Sequence, residues 1–152
     1  MSHSQQLAEP GPDPLDGFVL EDHIGFWLRR VALRHAHVFQ ETLAGHELTA
    51  PQYAALSKTV ELGRVTQNRL GRMTAMDPAT IQGVVKRLID RGLIARTSDP
   101  LDRRTAVLVP TASGSELITA TVALARRSHA AVLAPLSETE QQQLIAMLRR
   151  MV

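Results

Sequence analysis

Residues 66–114, "TQNRLGRMTAMDPATIQGVVKRLIDRGLIARTSDPLDRRTAVLVPTASG", combine a helical pattern and a strand pattern in one stretch. As far as Ile89, apolar residues recur every three or four positions, which is typical of amphipathic helices. Beyond Gly92, the segments LIARTS and TAVLVP are short, rich in apolar or β-branched residues, and flank the polar loop DPLDRR, a pattern typical of a β-hairpin. The stretch therefore predicts two helices and then a hairpin with Arg103 and Arg104 at its tip.

Two residues of a kind that caps helices mark where the helices of this stretch begin. Thr66 precedes the shorter helix. Asp77 precedes the longer helix, and Pro78 takes its first position, where the missing N–H is tolerated. The apolar face of the longer helix, which we expect to be buried, consists of Ile81, Val84, Val85, Leu88 and Ile89. The opposite face, which must then be exposed, carries Thr80, Gln82, Gly83, Lys86 and Arg87.

Helical periodicity also occurs on both sides of this stretch. It predicts a long helix over about 20–44 and a further helix that starts after a cap at Thr49. Two more helices are predicted over about 112–134 and 138–151, and the second begins with an S-x-x-E capping box at Ser137. The predicted fold is therefore mainly α with one small β-hairpin.

The length and composition of the chain restrict its class. Its 152 residues, of which 44% are hydrophobic, suit one globular domain. Residues 1–19 are rich in proline and glycine and lack a signal-peptide pattern, so we expect a flexible segment there and a single domain over 20–152. No run of about 18 apolar residues is present, which excludes a membrane-spanning helix. The chain has no cysteine, hence no disulfide or thiolate metal site. We expect a cytoplasmic protein.

Charge is distributed unevenly along the chain, although the formal net charge is only +2. Residues 1–22 contain five acids and no Lys or Arg, whereas residues 57–104 contain ten Lys or Arg and five acids. A basic segment within a nearly neutral chain favours a polyanionic partner. The alternative is a charged surface that simply faces solvent.

Enzymatic and metal-binding functions find little support in the sequence. The chain carries none of the short motifs typical of α/β-hydrolases, zinc proteases or P-loop proteins. Among its histidines, His35 and His37 are close in sequence, but a spacing of two on a helix turns their side chains about 200° apart. We therefore predict neither an enzyme nor a cofactor nor a metal site. A metal-responsive regulator that uses the histidines is an alternative.

A helix with one buried and one polar face, followed by a basic hairpin, is the arrangement of a winged helix-turn-helix. Small polar side chains near the helix N-terminus suit the major groove of DNA, and Lys or Arg further along suits phosphates. Arginines on the hairpin suit a narrow minor groove, where negative potential is concentrated. We expect Asp99 and Asp102 to stabilise this wing, in part by pairing with an arginine. The predicted DNA-binding residues are Thr66, Gln67, Pro78, Thr80, Gln82, Lys86, Arg87, Arg103 and Arg104.

These motifs resemble the DNA-binding core of the MarR family of bacterial transcription regulators. The matching patterns are T-x-x-x-L at Thr66, L-x-x-R-G-L-I at Leu88, D-x-x-D-R-R at Asp99 and L-x-x-T-x-x-G at Leu108. The resemblance covers residues 20–152 and implies a winged helix-turn-helix over 46–110, flanked by dimerisation helices over 20–45 and 111–152. It also implies a homodimer that binds a pseudo-palindromic operator in double-stranded DNA.

Some positions depart from the family's pattern. Gly71 stands where the family usually has alanine, and Gln82 and Gly83 stand where Thr or Ser and Arg are frequent. Because glycine inside a helix costs about 1 kcal/mol relative to alanine, Gly83 suggests a close approach of the helix backbone to DNA.

Members of the family commonly respond to small anionic aromatic molecules, so the resemblance implies an effector of that class. The segment DHIGFWLRRVALRH places imidazoles, arginines and a tryptophan on one predicted helix, and such groups stack on and pair with aromatic acids. The predicted ligand-binding residues are His23, Trp27, Arg30, His35, Tyr53 and Met76. The alternative is that Trp27 belongs to the dimer core and the arginines face solvent.

The start of this segment, DHIGF-LRR, also resembles a subgroup of the family that controls the breakdown of aromatic and heteroaromatic acids, including hydroxylated nicotinates. The sequence thus predicts a sequence-specific DNA-binding regulator, specifically a repressor released by a small aromatic or heteroaromatic carboxylate. A winged-helix protein-interaction module without DNA binding is the alternative. The arginines of the wing and the basic middle of the chain argue against it.

Overall fold

The computed structural model describes residues 15–152. Of the predicted flexible segment 1–19, residues 1–14 lie outside the described part of the chain, and residues 15–17 form a turn. The described residues divide into two compact units, with the boundary between Leu33 and Arg34.

The described residues form six α-helices and one two-stranded sheet, preceded by a 3-10 turn at Leu20–Asp22. In chain order the elements are α1 (Ile24–Thr42), α2 (Ala50–Leu62), α3 (Gln67–Met73), α4 (Pro78–Asp90), β1 (Ile94–Ser98), β2 (Ala106–Pro110), α5 (Ala112–Leu133) and α6 (Glu138–Arg149). This order confirms the predicted fold, which is mainly α with a β-hairpin wing.

The helices begin where their capping side chains predict, with one exception. Thr49 Oγ1 accepts the amide of Gln52, whose side chain accepts the amide of Thr49, and this closes a capping box at the start of α2. Asp77 and Ser137 accept the amide three residues further on in the same way. The exception is α1, where His23 is extended (φ −99°, ψ 130°). The first residues of that predicted helix therefore form the separate 3-10 turn.

The core of the second unit lies where α2, α3, α4 and the sheet meet. Leu56 of α2, Leu70 of α3 and Leu108 of β2 are all buried there. Of the five apolar residues predicted to line the inner face of α4, Ile89 is partly buried against this core and four are fully buried, namely Ile81, Val84, Val85 and Leu88. The 3.6-residue period of the sequence thus identifies the buried face of α4.

The wing is attached to the helix-turn-helix by more than the chain itself. β1 and β2 are antiparallel, with Ile94 opposite Pro110 and Ser98 opposite Ala106. Val65, which lies just before α3, donates its amide to Leu108 O at 3.0 Å and accepts the amide of Leu108 at 2.8 Å. These two hydrogen bonds tie β2 to the start of α3.

Thr111 and Gly114 of the T-x-x-G pattern join α5 to the end of α4. Thr111 Oγ1 donates a hydrogen bond to Gly92 O at 2.7 Å and accepts the amide of Gly114 at 3.1 Å. A Cβ atom built on Gly114 would lie 2.0 Å from the carbonyl oxygen of Leu93. Only a residue without a side chain permits this approach, which explains the glycine.

Some apolar side chains remain uncovered. No residue of α6 is buried, and the side chain of Met147 is 53% exposed. In the first unit, the described residues Leu20, Ile24 and Val31 are each about half exposed. Within residues 15–152, no helix has both the length and the apolar character needed to cross a membrane.

Candidate nucleic-acid interface

The outer face of α4 presents the side chains that the sequence assigns to DNA. Thr80, Gln82, Lys86 and Arg87 are exposed, and Gly83 is half-buried among them. Lys86 Nζ forms an exposed ion pair with Asp90 Oδ2 at 2.6 Å. Exposed pairs of this kind contribute little to stability, so Lys86 remains free to exchange its partner for a phosphate.

The first turn of α4 is held by Asp77. Its Oδ1 accepts the amide of Thr80 at 2.9 Å, and its Oδ2 accepts the hydroxyl of Thr80 at 2.5 Å. The hydroxyl and the backbone amide of Thr80 together lower the pKa of Asp77 from its ordinary value. Asp77 is therefore an ionised cap that fixes the rotamer of Thr80.

The C-terminal end of α4 is fixed by a contact that the sequence did not predict. Arg91 donates from Nη1 to Glu47 O at 2.5 Å and from Nη2 to His46 O at 3.2 Å. Glu47 has a positive φ of 52°, a conformation that is uncommon for residues other than glycine. Arg91 thus ties the end of α4 to the loop that precedes α2.

The wing loop is shaped by two aspartates through the backbone. Asp99 Oδ1 accepts the amide of Leu101 at 2.8 Å, and Asp102 Oδ1 accepts the amide of Arg104 at 3.0 Å. Asp102 Oδ2 also accepts the hydroxyl of Thr105 at 2.8 Å, the main cause of the lowered pKa of Asp102. The expected pairing of these aspartates with an arginine is not formed within residues 15–152; backbone amides bind both carboxylates, and Thr105 also binds that of Asp102.

The side chains of the two wing arginines have no partner among the described residues. Arg103 and Arg104 are exposed, and within residues 15–152 neither guanidinium forms an ion pair or a hydrogen bond. The loop backbone is held while both cationic side chains remain available to a partner.

A cleft of about 360 Å³ lies between the start of α3 and the base of the wing. Thr66 caps α3 by accepting the amide of Arg69 at 3.3 Å. Gln67 Oε1 accepts a hydrogen bond from Arg96 Nη2 of β1 at 2.9 Å. The sequence did not predict a role for Arg96, since nothing in a pattern links residues 29 positions apart.

Within the second unit, a cleft of about 420 Å³ lies between α1, α2, α3 and α5. His35 and Tyr53, two of the predicted ligand-binding residues, both line it. The residues that give this cleft its aromatic and polar character are His35, Phe39, Tyr53, Ser57, Lys58 and Glu61, and Met73 adds an apolar wall. The rings of Phe39 and Tyr53 meet edge to face, with centroids 5.4 Å apart. Burial raises the pKa of Tyr53, and the positive charge of Arg126 opposes that rise.

Lys58 supplies a positive charge to this cleft and was not predicted as a ligand-binding residue. Its Nζ lies 2.7 Å from Glu61 Oε2, and its side chain is 29% exposed. Met76 does not line this cleft. It lines a separate depression with Arg72 and Pro78.

The remaining predicted ligand-binding residues, His23, Trp27 and Arg30, lie in the first unit, and each has a contact within that unit. The ring of His23 stacks on Phe18 with centroids 4.4 Å apart. Trp27 Nε1 donates to Glu21 O at 2.7 Å. The guanidinium of Arg30 lies 5.8 Å from the centroid of the Trp27 ring, which is within cation–π range.

The histidines do not gather into a metal site in the described residues. No group of three or more His, Cys, Asp or Glu in residues 15–152 is arranged to hold a metal ion. His37 Nε2 lies 3.3 Å from Glu41 Oε1, whereas the ring of His35 lies 6.1 Å from that of Phe39. His35 and His37 thus have different partners.

Comparison with known proteins identifies the family. The model of the MarR family matches residues 46–105, which contain α2, α3, α4 and β1. The HTH-type transcriptional repressor NicR of Pseudomonas putida is 32% identical over 145 residues, covering 94% of this chain and 92% of NicR. The chain belongs to the MarR family. MarR proteins are DNA-binding transcription regulators, which confirms that the chain is not an enzyme.

Two solved structures extend the likeness over most of the chain. A probable transcriptional regulator from Pseudomonas aeruginosa is 44% identical, with a TM-score of 0.83, and covers 88% of this chain and 100% of its own. BpsR of Bordetella bronchiseptica, whose DNA binding is regulated by 6-hydroxynicotinic acid, is 31% identical, with a TM-score of 0.82, and covers 93% of this chain and 97% of its own.

The two glycines that depart from the MarR pattern differ in their surroundings. A Cβ on Gly71 would lie 3.2 Å from both the side chain of Ile81 and the carbonyl oxygen of Met76, so close packing accounts for this glycine. A Cβ on Gly83 would meet only Arg87 Nη1, at 3.7 Å. Packing within the chain does not account for Gly83.

Proposed function

We propose that the protein is a homodimeric repressor, which binds a pseudo-palindromic operator through α4 and the wing, and which a small aromatic or heteroaromatic carboxylate releases from DNA. The observation that carries the DNA-binding part is the wing. Its aspartates hold the backbone and leave the guanidinium groups of Arg103 and Arg104 exposed and unpaired. Nothing within the described residues accounts for two unpaired arginines on a held loop, whereas a narrow minor groove attracts such side chains.

The remaining DNA contacts follow from the position of α4. Its exposed N-terminal residues Pro78, Thr80 and Gln82 face the major groove in this proposal, and Lys86 and Arg87 contact phosphates, as do Thr66 and Gln67 at the start of α3. Base contacts specify sequence, whereas phosphate contacts position the protein. A dimer that reads two half-sites from one face of DNA requires them about 10 base pairs apart.

Uncovered apolar surface supports the homodimer. α6 fully buries none of its side chains, since Met147 is exposed and Leu144, Ile145 and Leu148 are only half-buried. Contiguous apolar surface of this kind marks interfaces. We propose that a second copy of the chain covers this surface, because members of the family are typically homodimers.

The cleft at His35 and Tyr53 supports the effector. Its volume of about 420 Å³ is in the range of small-molecule sites, and it combines aromatic walls with the imidazole of His35 and the ammonium of Lys58, which pairs with Glu61. An aromatic acid would place its ring against the Tyr53 side of the Phe39–Tyr53 pair and its carboxylate near Lys58, in place of Glu61. The relative BpsR responds to 6-hydroxynicotinic acid, which makes this compound the first probe. Contributions of His23, Trp27, Arg30 and Met76 remain predictions.

The DNA-binding proposal is tested by mobility shift with the promoter region of the protein's own gene. We expect Arg103→Ala with Arg104→Ala to weaken binding without unfolding, and to reduce the log–log salt slope by about 0.9 for each phosphate that the variant no longer neutralises. Arg126→Ala with Arg127→Ala removes an adjacent arginine pair on α5 and is the control. Full affinity of the wing variant would contradict the proposed role of the wing.

The effector proposal is tested by thermal shift with 6-hydroxynicotinate, nicotinate and salicylate, followed by operator release with any compound that stabilises the protein. Coupling of about 1–3 kcal/mol would lower operator affinity roughly 5- to 150-fold. Lys58→Gln should abolish stabilisation if the cleft is the site, whereas Arg30→Gln should do so if the first unit supplies the cation. If none of these acids stabilises the protein, the effector class is wrong and the DNA-binding proposal stands.

A further inference from the structure

The hydrogen bonds around Thr80 determine which atom receives the proton of its hydroxyl group. Thr80 is the third residue of α4, and its amide and its hydroxyl are bound to the two oxygens of the Asp77 carboxylate, at 2.9 Å and 2.5 Å. An ionised carboxylate only accepts hydrogen bonds. The single hydroxyl proton of Thr80 is therefore donated to Asp77 Oδ2.

The same two hydrogen bonds favour the ionised state of Asp77. Both hydrogen bonds from Thr80 lower the pKa of this carboxyl, so it carries a negative charge at neutral pH. A hydroxyl has one proton and two lone pairs. Because the proton is committed to Asp77, what the exposed Thr80 offers to a partner outside the chain is its lone pairs.

We infer that Thr80 contacts the operator as a hydrogen-bond acceptor, and so selects the exocyclic amino group of adenine or cytosine over the oxo group of thymine or guanine. The inference rests on the proposed function, since it requires α4 in the major groove. It goes further by assigning the polarity of one contact, which a threonine alone leaves undefined because its hydroxyl normally rotates to suit either partner.

The acceptor role of Thr80 determines which orientation of a base pair the protein prefers. Every base pair presents one amino group and one oxo group in the major groove. An acceptor at Thr80 therefore distinguishes the two orientations of a pair, A·T from T·A or C·G from G·C, rather than one pair type from the other. The wrong orientation sets oxygen against oxygen, unless Thr80 gives up its bond to Asp77.

Asp77→Asn reverses this polarity while keeping the helix cap. Asn caps helices as well as Asp does, and its Oδ1 can accept the amide of Thr80 as the carboxylate does now. Its Nδ2 then faces Thr80 Oγ1 as a donor, so the hydroxyl must accept from Asn and turn its own proton outward. Thr80 becomes a donor, and the preferred base pair at its position changes orientation.

The experiment is the enrichment of bound duplexes from a randomised DNA pool by the wild-type dimer and by three variants. We expect Thr80→Val, which keeps the shape and removes the hydroxyl, to lose the preference at one position in each half-site. Asp77→Asn should prefer the reversed pair at that same position. Gln82→Ala should alter a different position and is the matched control. Preferences are compared within each variant, because removing the charge of Asp77 strengthens DNA binding in general.

A second measurement uses a base analogue in the enriched operator. Replacing the contacted adenine by deoxynebularine, or the contacted cytosine by its analogue without N4, removes only the amino group. Wild-type affinity should fall about three- to tenfold, the usual effect of one hydrogen bond, and the affinity of Thr80→Val should not change.

The outcomes separate the inference from the function on which it rests. If the wild-type protein enriches no sequence, the proposed function is wrong. If it enriches an operator but Thr80→Val keeps every preference, Thr80 makes no base contact and the inference fails. If Thr80→Val relaxes one position while Asp77→Asn keeps the original orientation there, the assigned polarity is wrong.

Discussion

α4 and α6 are helices of nearly equal length with very different burial. α4 has 13 residues and α6 has 12, and each begins at a side-chain cap. α4 buries four apolar side chains against α2, α3 and the sheet, whereas α6 buries none. The packing of α4 is complete within one chain, while the packing of α6 requires something more, which in our proposal is a second copy.

The largest expected effect concerns the packing behind α4. Gly114→Ala should destabilise the folded state by about 3 kcal/mol or more, because its Cβ would lie 2.0 Å from Leu93 O, on backbone that cannot move aside cheaply. Chemical denaturation followed by circular dichroism measures this. Gly83→Ala, where the added Cβ meets no atom closer than 3.7 Å, is the control for glycine replacement in a helix. Equal stability of the two variants would show that the approach of α5 to Leu93 is unimportant.

The next effect concerns α6. Ile145, which is half-buried beside Leu133 and His129, should lie in the dimer interface. Since burying an isoleucine is worth about 1.5–3 kcal/mol, Ile145→Glu should weaken dimerisation at least about tenfold, as measured by sedimentation. Gln143→Glu adds the same charge to an exposed position of α6 and should leave the dimer intact. If the wild-type protein is a monomer at micromolar concentration, a second copy does not cover α6, and the proposed explanation of its exposure is wrong.

A smaller effect is expected on α5. Ser128 is 1% exposed, and its hydroxyl is the one buried side-chain polar atom without a hydrogen-bond partner in residues 15–152. An unsatisfied buried hydroxyl costs about 1–3 kcal/mol, so Ser128→Ala should raise the midpoint of thermal unfolding. A lowered midpoint would mean that the hydroxyl acquires a partner when the dimer forms.

The smallest effect returns to the outer face of α4. Gly83→Ala should stabilise the fold by about 0.5–1 kcal/mol, since alanine favours helix and nothing in the chain blocks it. If DNA approaches the backbone at this position, the same variant should bind the operator more weakly. Stability and operator affinity that rise together would show that Gly83 has no part in DNA contact.

Sequence patterns predicted those features that depend on neighbours within a few residues. Thr49, Asp77 and Ser137 cap their helices because each side chain reaches an amide three residues away, which is a local geometry. The contacts of Arg91 with the loop before α2 and of Arg96 with Gln67 span 44 and 29 positions, and no local pattern contains them. They depend on how the elements pack.

The wing shows a different limit of sequence reasoning. The expected partner of Asp99 and Asp102 was an arginine, and attraction of opposite charges made that a reasonable prediction. Backbone amides two residues away and the hydroxyl of Thr105 bind these carboxylates instead. An exposed ion pair must immobilise a long side chain for little gain, whereas the turn already holds these amides in place.

The pairing of Val65 with Leu108 affects whether operator recognition and effector response can change independently during evolution. Those two hydrogen bonds attach the wing to the start of α3, so the wing moves together with the helix-turn-helix. In the proposed complex, one chain would then cover a half-site of constant width, and an effector would change only the distance between the DNA-binding units of the two chains. New effectors could in that case be acquired by altering the effector site alone, while the operator sequence stays the same.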